Sequence, residues 1–295
     1  MIITEPKDVT RAALDAMERT QDPRLREIMM SLVAHLHAFA TDVRLTEAEL
    51  RQAAAILSEL GQRTTETHNE TILMAGSLGV SSLVCLLNHN GIAPTSHSLL
   101  GPFWRMHSPP TANGASIVRS PTPGSELFVT GRVVDRDANP IPGAEVDVWH
   151  ASPAGLYENQ DAAQADMNLR GKFVTDDDGR FWFRTVKMTG YPIPTDGVVG
   201  RLLRAQLRHP FRPAHLHVLV VKPGYKVLIS QTYDPSDPHL STDAQFGVTR
   251  ALLGDYLRHD EPHPLGAAVA TPWYSLDHTY VMDPGETVLP KPPIK

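Results

Sequence analysis

Cysteine is almost absent: Cys85 stands alone among 295 residues. One thiol makes neither an internal disulfide nor a multi-cysteine metal site, and it suits a reducing, cytoplasmic setting. Positive charge is also short. Lys and Arg number 27 against 33 Asp and Glu, a formal net charge of −6, so no basic field is present to hold nucleic acid or an anionic membrane. No apolar run approaches the roughly 20 residues that a spanning helix needs, and the opening MIITEPKDVTRAALDAMERT lacks the basic-then-apolar order of a signal peptide. The length is too great for one small module and suits two domains of about 150 residues each. The expectation is a soluble, cytoplasmic protein in two parts, with no nucleic-acid partner and no membrane span.

The first hundred residues have their own shortages. They contain only Pro6, Pro23 and Pro94 of the 25 prolines, Phe39 as their single aromatic, and none of the seven tyrosines. A Pro-poor stretch rich in Ala, Leu, Glu and Arg favours helices. Ile28, Leu32, His35, Leu36 and Phe39 recur at helical spacing, which predicts plain packing between helices. Thr46–Glu49 (TEAE) reads as a capping box opening a helix that runs to about Leu60. Residues 67–88 form a further apolar segment, read as two helices broken near Gly76 or Gly79.

After Pro102 the pattern switches to period two. Residues 127–135 (LFVTGRVVD) and 144–149 (AEVDVW) alternate apolar and polar around the turn Asn139–Gly143 (NPIPG), giving a strand, a turn and a strand. Phe173–Thr175, Asp178-Gly179 and Arg180–Phe183 read as a hairpin closed by an Asp-Gly turn. His215–Val221, Pro223-Gly224 and Lys226–Ser230 read as another, and Thr279–Met282 as a late strand. Short strands with regular turns predict a β-sandwich. The boundaries are a helical domain over 1–104 and a β-sandwich over 105–295.

Reactive side chains concentrate in Trp149–Tyr157 (WHASPAGLY), Gly190–Gly197 (GYPIPTDG) and Arg212–His217 (RPAHLH). On a strand, residues i and i+2 share a face, so His215 and His217 point into one site. His35 and His37 have the same spacing in a predicted helix, where the two rings diverge. Two imidazoles alone suit zinc, copper, iron or nickel. A zinc hydrolase would add a third His or a carboxylate; Asp176, Asp177 and Asp196 are available but form no spaced motif with the histidines. Tyr157 and Tyr191 lie in Gly/Pro-rich turns. A phenol, with a reference pKa of ~10, becomes a ligand only where a strongly charged cation holds it as phenolate, and that hard anionic donor points to a trivalent ion such as Fe(III). Taken singly, each tyrosine reads as a packed ring with a satisfied hydroxyl, and spacing alone does not overturn that. His150 reads as a structural hydrogen-bonder. His209, His239, His259, His263 and His278 read as solvated.

At these residues the sequence resembles the intradiol ring-cleavage dioxygenases, the catechol and hydroxyquinol 1,2-dioxygenases. The shared blocks are Leu100–Phe103 (LGPF), Gly131–Asp135 (GRVVD), Gly143–Ala151 (GAEVDVWHA) with Gly155–Tyr157 (GLY), Tyr191–Gly197, Arg212–His217, and Gln231. The resemblance implies a mainly-β catalytic domain with an N-terminal helical dimerisation domain. It implies one Fe(III) per subunit held by Tyr157, Tyr191, His215 and His217, with Tyr191 also accepting a proton from the incoming diol. Arg212 would stabilise negative charge on the ring, and Gln231 would orient the arginine or an iron-bound hydroxide. The substrates implied are an aromatic diol and O2, with both oxygen atoms entering a muconate-type product. A homodimer through the N-terminal helices, often around a phospholipid, is implied as well.

Two segments, Ile72–Val84 and Leu99–Phe103, resemble the hydroxyquinol branch. One position departs from it: Gly76 stands where that branch typically has an aspartate. The departure predicts a third ring hydroxyl left unpaired and room for a bulkier substituent, in a ring pocket lined by Leu73, Gly76, Leu99, Phe103, Ile193 and Gln245. The competing readings are a catechol 1,2-dioxygenase, a non-catalytic transthyretin-like binding sandwich and a zinc hydrolase built on the His-x-His pair.

Overall fold

The computed structural model describes residues 2–65, 68–89 and 97–293. The chain divides into two compact units, Met1–Glu59 and Leu60–Lys295, so the division falls inside a helix.

The first unit holds α1 (Pro6–Met17), which periodicity alone does not reveal, α2 (Pro23–Asp42) and most of α3 (Glu47–Gln62). Side chains fix where these helices start. Asp8 accepts from the amide and hydroxyl of Thr4 at 3.1 and 2.6 Å. Asp22 caps α2, accepting from the amides of Arg24 and Leu25 at 2.8 and 3.1 Å, with Pro23 at the first helical position. Thr46 and Glu49 close the predicted box, each side chain bonding the other's backbone amide, at 3.3 and 2.8 Å. The expectation for the apolar stripe is corrected. Leu25, Ile28, Leu32, Leu36, Phe39 and Val43 remain 46–54% exposed rather than packed between helices.

The second unit opens with α4 (Glu70–Ser77) and α5 (Val80–Asn88), broken where expected, at Gly79, whose φ of +78° favours glycine. Among the described residues ten strands follow, with α6 (Val198–Ala205) between them. They are β1 (Glu126–Val134), β2 (Glu145–Trp149), β3 (Arg170–Val174), β4 (Arg180–Val186), β5 (Tyr191–Pro192), β6 (Phe211–Arg212), β7 (His215–Val221), β8 (Leu228–Tyr233), β9 (Asp255–His259) and β10 (Trp273–Val281). One sheet has the order β4-β1-β10-β9, a second the order β3-β2-β7-β8, and β5 pairs with β6. The two four-stranded sheets share one core. Leu127, Val129, Phe181 and Phe183 contribute from the first; Val146, Val148, Phe173, Leu216, Val218 and Val220 contribute from the second. This is the expected β-sandwich.

The predicted Asp178-Gly179 hairpin is corrected. The turn forms, with Gly179 at φ +72°, but β3 and β4 belong to opposite sheets. The turn crosses the sandwich, and its glycine carbonyl accepts from the Val133 amide of β1 at 2.7 Å. Alternation either side of a tight turn has the same form whether the chain reverses within a sheet or between sheets. The His215 hairpin does form: β7 and β8 pair antiparallel, with His217 opposite Gln231 and His215 opposite Tyr233.

Strand β7 positions the chemistry. Its even-numbered residues Leu216, Val218 and Val220 enter the sandwich core. His215, His217 and Leu219 therefore face outward, where Phe103, Trp104, Trp149, Tyr157 and Tyr191 form a second buried cluster. Covering both faces explains why nearly every residue of HLHVLVV is buried.

Candidate metal centre and ring cavity

The two imidazoles meet at Nε2, 3.1 Å apart. His215 Nδ1 lies 2.7 Å from the Pro213 carbonyl; donating there puts the proton on Nδ1 and leaves the Nε2 lone pair free for the site. His217 is held by stacking on Trp149, 4.7 Å between centroids at 8°. Gly101 lies against its open edge, where a Cβ would come within 3.0 Å of His217 Cε1.

Tyr157 follows the tight turn after β2, in which the Ser152 amide donates to the Leu156 carbonyl at 2.9 Å and Gly155 adopts φ +77°. A side chain at Gly155 would sit 3.0 Å from Tyr191 Cβ, so the glycine lets the second tyrosine approach. Tyr191 is fixed by the β5–β6 ladder directly opposite Arg212. The phenol oxygens of Tyr157 and Tyr191 are 3.1 Å apart, and Tyr191 Oη is 3.4 Å from His215 Nε2. All four side chains are buried.

Burial, reinforced by the neighbouring Tyr191, pushes the Tyr157 phenol well above its ordinary range. Burial also raises Tyr191, against the opposing pull of Arg212. Burial and then Arg212 lower His215 to about 3; burial and then His215 carry His217 well below its ordinary value. The imidazoles are thus neutral donors at physiological pH, and the phenols need a nearby cation to ionise.

The donor set fits a metal ion. Atoms about 2.0–2.1 Å from one ion and 90–120° apart lie about 2.8–3.6 Å from each other, the interval in which the three separations above fall. Two phenol oxygens and two imidazoles form a hard set suited to a trivalent ion. Among the described residues no three His, Cys, Asp or Glu come together as a metal group. The carboxylates a zinc hydrolase would need are elsewhere: Asp196 is exposed and paired with Arg63 at 3.2 Å, and Asp176 caps its own turn through the Arg180 amide at 2.7 Å.

Arg212 lies beside this cluster, its Nη1 3.4 Å from His215 Nε2. Asp243 accepts from its Nε and Nη2, each at 3.2 Å. Gln231 Oε1 accepts from Nη2 at 3.0 Å while its own Nε2 donates to the Leu99 carbonyl at 2.6 Å. The Tyr233 hydroxyl bonds both Arg212 and Gln231. Sequence reasoning missed Tyr233 and Asp243. The first carried a signal, being two residues beyond Gln231 on the same face of β8; the second carried none.

A cavity of about 280 Å³ opens onto Tyr191 and Arg212. Leu73, Leu99, Phe103, Ile193 and Gln245 line it, and Gly76 does not. The expected room at Gly76 is filled: a Cβ there would fall 1.7 Å from Gln245 Oε1. Near the same cavity, the wholly buried Glu70 accepts from the Val199 amide at 2.9 Å and contacts His68 Nε2 at 2.6 Å, tying α4 to the start of α6.

The remaining histidines divide. His150 is structural as expected, with Nδ1 2.8 Å from the Ala151 carbonyl and Nε2 2.7 Å from Thr185 Oγ1. The five expected to be solvated, His209, His239, His259, His263 and His278, are only half-exposed. His209 and Phe211 lie against His239, His259 and His263 lie against Trp273, and His278 lies edge-on to Tyr280.

Residues 100–272 match the family described as Dioxygenase, and residues 22–94 match Catechol dioxygenase N terminus. A hydroxyquinol 1,2-dioxygenase of Rhizobium sp. is 43% identical over 270 residues, covering 90% of this chain and 91% of the relative. A 6-chlorohydroxyquinol 1,2-dioxygenase of Cupriavidus pinatubonensis is 38% identical over 278 residues, covering 94% and 97%. The crystal structure of hydroxyquinol 1,2-dioxygenase from Pseudomonas putida superposes with a TM-score of 0.87 at 36% identity, covering 95% of this chain and 99% of that one. No single described helix is long and apolar enough to cross a membrane. Two matched segments over most of the chain and relatives aligned almost end to end place it in one family: the chain belongs to the intradiol ring-cleavage dioxygenases.

Proposed function

We propose that Tyr157, Tyr191, His215 and His217 hold one ferric ion per subunit, and that the enzyme opens a hydroxyquinol- or catechol-type ring between its two hydroxyl-bearing carbons with O2. The observation that carries this reading is the mutual approach, at 3.1–3.4 Å, of two phenol oxygens and two imidazole nitrogens from separate parts of the chain. Bound there, iron supplies the charge that keeps the phenols ionised and draws electron density from the diol, so that the ring becomes reactive towards O2.

The chain's own groups do the rest. Tyr191, which lines the cavity, would take a proton from the incoming diol on its phenol oxygen. Arg212 is a fixed cation in a dry site, beside the place where negative charge develops. Gln231, Tyr233 and Asp243 hold the guanidinium plane through the bonds described above. The apolar wall of Leu73, Leu99, Phe103 and Ile193 accepts the ring and excludes water.

The relatives named for hydroxyquinol and chlorohydroxyquinol support a trihydroxybenzene as the preferred diol. The half-exposed stripe on α2 supports a homodimer through the helical part, residues 1–104, with a phospholipid as a further occupant of that apolar face, leaving 105–295 as the catalytic part. The lone thiol of Cys85 fits a cytoplasmic setting.

The test is spectroscopic. Iron-loaded protein is expected to show a tyrosinate-to-Fe(III) absorption band in the visible that shifts when a diol is added without oxygen. Tyr157→Phe is expected to weaken iron retention and the band together. Colourless protein carrying one tightly held iron per chain would remove the two tyrosines from the ligand set.

A further inference from the structure

Gln245, only 6% exposed, is one of the polar residues that line the ring cavity, with His68, Asn69, Ser81, Gln160 and Arg212. It occupies the space that any side chain at position 76 would need, since a Cβ built there lies 1.7 Å from Gln245 Oε1 and 2.7 Å from its Cδ. Gly76 has no left-handed backbone that would call for glycine, and glycine inside a helix weakens it. The carboxamide is the feature that explains the residue.

Gln245 is also firmly held. Its Nε2 donates to Ser77 Oγ at 2.8 Å, its amide donates to Asp243 Oδ1 at 3.1 Å, and its carbonyl accepts from Ser82 Oγ at 2.8 Å. Asp243 is the carboxylate that also holds Arg212, so the carboxamide and the guanidinium are positioned by one group. Among the described residues Oε1 accepts no hydrogen bond. Gln245 lines the cavity, and a carbonyl there with no donor of its own gains most when the occupant of the cavity donates to it.

We infer that Gly76 and Gln245 form one recognition unit, in which Gln245 Oε1 accepts a hydrogen bond from a ring hydroxyl beyond the two that flank the cleaved bond. The unit favours a trihydroxybenzene over unsubstituted catechol, and it refuses a bulky apolar group at that edge of the ring. The inference rests on the proposed diol cleavage and names its substrate class.

Relative turnover of hydroxyquinol and catechol tests it. Gln245→Met is nearly isosteric and removes the acceptor. Its ratio of kcat/KM for hydroxyquinol over catechol is expected to fall about tenfold or more, chiefly through KM for hydroxyquinol. Gly76→Ala pushes the carboxamide aside and is expected to move the ratio the same way. It also lowers Tm by about 5 °C, a loss that Gln245→Ala in the same chain restores. A ratio unchanged in folded Gln245→Met, or in Gly76→Ala should the first variant not fold, overturns the inference, as do losses in Tm that simply add. A parent protein that cleaves neither diol would instead sink the proposed function, and this inference with it.

Discussion

Each of the four proposed ligand side chains is placed by a different device. His215 is set by one backbone carbonyl, His217 by the indole of Trp149, Tyr157 by a glycine turn, and Tyr191 by a two-residue ladder. The devices at His215 and Tyr157 are short in sequence and those at His217 and Tyr191 are not; the four residues were legible as a set through the blocks that resemble the intradiol dioxygenases. Gln231 and Arg212 are legible for the same reason. Asp243 is not: it serves Arg212 only because a loop folds back. The Gly76 expectation failed similarly, because the group that fills its space is far along the chain, Gln245 bonding Ser77 across 168 positions. Arg212 is where binding and turnover should separate. Arg212→Ala is expected to retain iron on the folded protein and to lower kcat by about 10²–10³. It also costs about 3–5 kcal/mol of stability by leaving Asp243 buried without its partner. Metal content beside steady-state rates on the purified folded fraction checks this; iron lost in step with activity would mean that the arginine merely supports the ligands.

At the scale of elements, the two His-x-His pairs show how secondary structure decides chemistry. In β7 the rings meet at 3.1 Å, whereas in α2 His35 bonds the Ser31 carbonyl and His37 bonds Thr10. The existence and alternation of β1, β2, β4, β7 and β8 were legible, whereas β5, β6 and β9 were not expected and β10 was expected only at its last residues. Which sheet a strand joins was not legible, as the Asp-Gly turn shows. His150 adds a link between elements: just past β2, it bonds Thr185 of β4 in the opposite sheet. Burial lowers this imidazole to about 4, against about 6.5 in an unfolded chain. As pH falls below 6.5 the unfolded chain takes the proton first, so stability that is full above pH 6.5 is lost on the way down to 4, by up to about 3 kcal/mol. Denaturant midpoints measured from pH 7.5 to 4.5 are expected to decline less steeply in His150→Gln than in the parent. Parallel profiles would acquit this histidine.

For the whole molecule, composition announced a helical part and a sheet-rich part, because the two packing modes draw on different residues. It did not announce that the apolar stripe of α2 stays half-exposed, since periodicity reports a face and not what covers it. The proposed dimer predicts a mass of about 65 kDa, twice 32.4 kDa, by light scattering. Leu32→Glu with Leu36→Glu is expected to halve it while the visible band stays. The two histidines of the proposed iron site, finally, sit on the outward face of a sheet whose other face builds the sandwich interior. Stability and chemistry therefore draw on alternate residues of one strand. The ring-facing lining, supplied largely by segments outside the two large sheets, is open to retooling: new diol preferences can evolve there, or be engineered, while the scaffold's hydrophobic interior is left untouched.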